Sequence, residues 1–92
     1  MLKYTLIDVL NVSQLVDMHM LKMVKGTADY KDHIKRELET RAGREILAFM
    51  KTHPLVTTSY RYVEEVRPHM YAHEFRIEIS IFKVEQVEDE EA

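Results

Sequence analysis

Residues 74–82, "EFRIEISIF", constrain this chain more than any other stretch. Phe75, Ile77, Ile79 and Ile81 are apolar, while Glu74, Arg76, Glu78 and Ser80 between them are polar. Alternation with period two places all four apolar side chains on one side of a β-strand and the charges on the other. A helix would scatter the same residues around its circumference. The chain must therefore contain a sheet with one buried face, and something apolar must cover that face.

A partner strand stands just upstream. Val56, Thr58, Tyr60 and Tyr62 alternate with Thr57, Ser59 and Arg61, and Pro68 follows after Arg67. The two segments predict a long C-terminal hairpin. A turn at Arg67 and Pro68 makes cross-strand partners sum to 135, so that Tyr60 faces Phe75 and Arg61 faces Glu74. Pro at the first central turn position makes the sum 137, with Tyr62 facing Phe75. Either way, Tyr60 and Tyr62 share the face of Phe75 and the isoleucines.

Two helices are expected to supply the cover. Val12, Leu15, Val16, His19, Met20 and Met23 recur at helical spacing behind Asn11, with Gln14 at capping-box distance. Lys22, Lys25 and Gly26 then form a stop signal. Thr27 can cap a second helix with Asp29 in its first turn and an apolar stripe of Ile34, Leu38, Ala42, Ile46, Phe49 and Met50, ended by Pro54. Opposite charges four apart, such as Asp32 with Arg36 and Glu37 with Arg41, mark its solvated face. Gly43 lies inside this helix, which calls for either a close neighbour or a break. Residues 3–9 read as a strand. The expected fold is α+β in the order β-α-α-β-β: two antiparallel helices on one face of a small antiparallel sheet with a long C-terminal β-hairpin.

Ninety-two residues suit one domain, taken as residues 1–84. The segment 85–92 holds five of the sixteen acids and reads as an acidic, frayed tail; without those five, thirteen bases stand against eleven acids. Overall charge thus gives nucleic-acid binding no support. Cysteine is absent, which removes disulfides and thiolate metal sites. The N-terminal segment is too polar for a signal peptide, and no apolar run reaches membrane-spanning length, so a cytoplasmic location is expected.

The chemistry-bearing residues gather in 59–76, "SYRYVEEVRPHMYAHEFR". His69 and His73 are four apart, which would chelate on a helix but separates them by about 13 Å on a strand; no metal site or cofactor is expected. Acid–base catalysis would need these groups in a pocket, whereas a hairpin tip is convex and wet. No nucleophile arrangement or phosphate-cradling glycine loop is present, and no enzymatic activity is expected. A hairpin about 40 Å long outreaches a 92-residue domain, leaving its distal part bare. Tyr60, Tyr62, Met70 and Tyr71 would then be apolar anchors, with Arg61, Arg67 and His73 as polar ones, for another protein or a second copy of the chain. The expected function is a small non-enzymatic protein-binding module, an inhibitor or accessory subunit that forms a homodimer. Small proteins without motifs are common among phage and mobile-element products. Two alternatives carry weight. One is a winged-helix nucleic-acid binder, if Gly43 splits the second helix. The other is a dimeric ligand-binding or catalytic α+β protein with Tyr60, Tyr62 and His73 as a pocket floor.

Overall fold

The structure, a computed structural model, describes residues 1–23 and 27–88, with the backbone alone for residues 22, 23, 27 and 28. Strand β1 (Leu2–Asp17) leads into helix α1 (Met18–Met23), then helix α2 (Thr27–Thr52), strand β2 (Val56–Arg67) and strand β3 (Ala72–Gln86). A 3-10 turn, Pro68–Met70, joins β2 to β3. The sheet is antiparallel in the order β1-β3-β2, so the alternating strand identified in the sequence is its centre.

The α+β class, the element order and the C-terminal hairpin agree with expectation. Phe75, Ile77, Ile79 and Ile81 are fully buried under Ile34, Leu38 and Ala42 of α2 and Leu21 of α1. Complete burial of such a side chain stabilises the fold by roughly 1.5–3 kcal/mol. Both helices therefore cover one face, here called the helix face; the other is the open face.

Three details depart from the sequence reading. First, the helix expected over 12–25 is mostly strand: β1 continues to Asp17, and Val12 and Val16 are buried opposite Ile77 and His73. A spacing of four fits a helix turn and also one face of a strand. The unsatisfied side of β3 decides for the strand, since its buried row needs a neighbour on each side. The cap of α1 is Asp17, not Asn11. Its Oδ1 accepts the backbone N–H of His19 at 2.8 Å and of Met20 at 3.4 Å. The expected stop at Lys22, Lys25 and Gly26 and the Thr27 side-chain cap lie outside the described residues.

Second, the hairpin partners sum to 139: Tyr60 opposes Ile79, Tyr62 opposes Ile77 and Arg61 opposes Glu78. The reversal takes four residues, because Pro68 starts a 3-10 turn that Tyr71 closes in the left-handed region (φ 47°, ψ 47°). An even slip of register leaves every side chain on its expected face.

Third, α2 runs unbroken through Gly43, and a Cβ built there meets nothing within 4 Å. The break that a winged-helix arrangement requires does not occur at this glycine.

The molecule is a rod. Its extents are 64 × 24 × 20 Å and its radius of gyration is 17.9 Å, against about 12 Å for a compact chain of this length. At about 3.3 Å per residue β1 spans roughly 53 Å, whereas α2 at 1.5 Å per residue spans roughly 39 Å. The sheet outreaches its cover.

Candidate functional site

The seven residues singled out in the hairpin occupy four environments. Tyr62 and His73 lie on the helix face. Tyr62 packs against the core, and its hydroxyl donates to Glu64 Oε1 at 3.1 Å. Lys35 Nζ stands 5.2 Å from the centre of its ring. Burial, reinforced by the Glu64 carboxylate, pushes the Tyr62 phenol well above its ordinary range. His73 stacks on Phe75 with ring centroids 4.7 Å apart. Its Nε2 and Lys31 Nζ approach Glu64 Oε2 at 3.8 and 3.7 Å. These residues form the polar margin of the core.

Arg61 and Arg67 belong to the open face, within a lattice of alternating charges. Arg61 Nη2 lies 2.6 Å from Glu78 Oε1. Arg67 Nη2 lies 2.9 Å from Glu65 Oε2 and 2.8 Å from Glu74 Oε1. Arg76 joins Glu65 at 2.8 Å and also binds Glu74. Glu65 and Glu74 are direct cross-strand partners, so two carboxylates would repel there without the arginines between them. The hydrogen bond from Arg76 holds the Glu65 carboxyl below its usual range, with the nearby arginine charges adding to it.

Met70 and Tyr71 form the tip. The tip is braced on one side, because β1 extends to Asp17 and α1 starts beside it, while Met70 and Tyr71 keep exposed side chains. Met18 N–H donates to Tyr71 O at 3.1 Å, and the His19 ring sits 4.4 Å from that of Tyr71. Those contacts hold a non-glycine residue in a conformation that ordinarily costs free energy. Tyr60 lies far from the tip, about 23 Å along β2 from Arg67. It is 61% exposed, beside a shallow pocket of about 160 Å³ with Glu39, Ala42, Gly43, Ile46 and Ile77. The structure thus does not gather the seven residues into one patch.

The uncovered region lies at the opposite end of the rod. Beyond Thr52 and Leu55 the sheet continues as a two-stranded ribbon of β1 and β3, closed by Val87 N–H donating to Met1 O at 2.8 Å. Glu85, assigned to the tail, pairs with Lys3 in this ribbon; Asp89, Glu90 and Glu91 lie outside the described residues. Of the fifteen large apolar side chains exposed among the described residues, six fall on Met1, Leu2, Tyr4, Leu6, Ile7 and Val9. A β-bulge at Ile7 shifts the register, and Tyr4 and Leu6 oppose Val84 and Phe82 on the open face. On the helix side, Ile7, Pro54, Leu55 and Val56 line an apolar hollow of about 430 Å³ with His53 and Lys83. One sequence signal marks this region: adjacent Leu6 and Ile7 give β1 apolar residues on both faces, more than a strand with one buried face needs.

No protein-family model, curated protein or solved structure matches this chain. Among the described residues no group of three or more His, Asp or Glu is placed to hold a metal ion, and no helix is long and apolar enough to cross a membrane.

Proposed function

We propose that this chain is a non-enzymatic protein-binding module whose contact surface centres on the overhanging ribbon of β1 and β3. One observation carries the reading: six of the fifteen exposed large apolar side chains lie on residues 1–9, in the half of β1 that runs away from the hairpin tip into the overhanging ribbon. Contiguous apolar surface of this kind on a soluble-sized domain marks an interaction site. Tyr, Leu and Met project from a rigid ladder, so little ordering cost is incurred on binding. The hairpin residues first singled out divide accordingly. Tyr60 and Arg61 stay exposed midway along β2 and Met70 stays exposed at the far tip, outside such a surface, while Tyr62, Arg67, Tyr71 and His73 hold the fold.

The test is affinity capture from nuclease-treated lysate of the source cell, with mass spectrometry of retained proteins. Wild type is compared with a Leu2→Ser, Tyr4→Ser, Leu6→Ser variant and with a Tyr60→Ser, Arg61→Ser variant. A protein held by wild type and by the hairpin variant, and lost from a folded ribbon variant, supports the reading. Retention by all three baits, or by none, overturns it.

A further inference from the structure

This inference rests on the reading above and names the occupant of the ribbon's edge. The sheet has two edges, and they are guarded differently. β2 carries Arg61, Glu64, Glu65 and Arg67 along its length, a common device against edge-to-edge pairing. Across residues 1–10, β1 has only Lys3 and Asp8 among apolar neighbours, and no strand lies outside it among the described residues. Its outward N–H and C=O groups form a template for another strand.

We infer that the missing neighbour is β1 of a second copy, antiparallel about a two-fold axis through Thr5. Facing decides which registers are allowed, because directly opposed residues must share a face. Leu2, Tyr4, Leu6 and Val9 lie on the open face, opposite Gln86, Val84, Phe82 and Ser80. Lys3, Thr5 and Asp8 lie on the helix face, opposite Glu85, Lys83 and Ile81. With Ile7 bulged against both of its neighbours, a two-fold at Thr5 opposes Tyr4 with the partner's Leu6 and Leu2 with the partner's Val9. The same register opposes Lys3 with the partner's Asp8, twice over. Face-preserving slips centred on Tyr4 or Leu6 lose that charge match, so charge complementarity selects the Thr5 register. The result is a continuous six-stranded sheet with the unguarded edges removed from solvent and the charged β2 edges outermost.

Thr5→Cys tests this directly, because the chain has no other cysteine. Directly opposed residues in an antiparallel pair have Cα atoms about 4.5–5.5 Å apart, within disulfide reach. Light scattering should show wild type as a dimer, and mild oxidation should convert Thr5→Cys almost wholly to a covalent dimer. Ser13→Cys, beyond the paired segment, should stay uncrosslinked. Asp8→Lys should weaken the dimer roughly tenfold or more, and adding Lys3→Glu should restore it, with circular dichroism confirming that each variant folds. A monomeric wild type at high micromolar concentration overturns the inference. So does a dimer in which Thr5→Cys crosslinks no faster than Ser13→Cys, which would point to packing of open faces instead. If the inference fails while lysate capture still depends on Leu2, Tyr4 and Leu6, the protein-binding reading stands with a different partner. If capture fails as well, both fall.

Discussion

The two ends of the sheet are made by the same strands, β1 and β3, yet they solve the problem of exposure in opposite ways. At the hairpin end the open face carries Arg67, Arg76, Glu65 and Glu74 in mutual ion pairs, and α1 braces Tyr71. At the ribbon end the open face carries Leu2, Tyr4, Leu6, Phe82 and Val84, with three of these at least half exposed. Charge pairs tolerate water and need no partner. Exposed apolar side chains on a ladder tolerate water poorly and gain most from one. The contrast teaches that the hairpin end ties its open-face charges to one another within the chain, whereas on the proposed reading the ribbon end is completed by association.

The largest effects should separate the ends by stability. Phe75→Ala removes a fully buried ring beside His73 and should cost about 3–5 kcal/mol, a large share of a small domain's stability. Tyr4→Ala, on a side chain 57% exposed, should stay within about 0.5 kcal/mol for the dilute monomer. Urea unfolding of both variants decides it; equal losses would mean that the ribbon is core and the contrast is wrong.

A smaller effect should appear within the charged end itself. Arg76→Met leaves Glu65 and Glu74 opposed with Arg67 as the one remaining arginine that binds both, and should lower Tm by about 5 °C at neutral pH. The sign follows from Glu65. Its carboxyl titrates below the ordinary range, so its contribution is present above about pH 4.3, where an unfolded glutamate ionises. That contribution is lost as pH falls through the lowered value. The Tm deficit of the variant should therefore shrink in acid. A deficit constant with pH would assign Arg76 a packing role instead.

The legible parts of this fold are those where local pattern and long-range pairing agree. The period-two run at residues 74–82 and the apolar stripe of α2 each had one interpretation, and the face of every hairpin residue survived the error in register because the slip was even. The far half of β1 was illegible for the converse reason. Val12 and Val16 fit helix and strand alike, and only their pairing with Ile77 and His73, more than fifty residues away, decides between them. That one element also adds apolar surface at the ribbon that the hairpin alone did not suggest. Once β1 runs to Asp17, α1 starts beside the tip and braces Tyr71, whose side chain and that of Met70 stay exposed. Tyr62 and His73 lie on the face of the isoleucines as expected, but the same placement that drew them toward a partner leaves them half-buried at the margin of the core.

The smallest expected effect isolates the two ends from each other. Gly43 sits in α2 between them, beside the shallow pocket that Tyr60 and Ile77 line. A methyl group there meets no atom within 4 Å, so Gly43→Ala should gain the helix preference of alanine, about 0.4–1 kcal/mol, without displacing a neighbour. Tm should rise by a few degrees. Because the substitution stiffens the cover and leaves residues 1–10 untouched, the dimer dissociation constant should not change. Stabilisation without a change in association would show that the ribbon docks as a preformed edge. A tighter dimer in the stabilised variant would show instead that the edge is ordered through α2, and that the two ends are coupled along the length of β3.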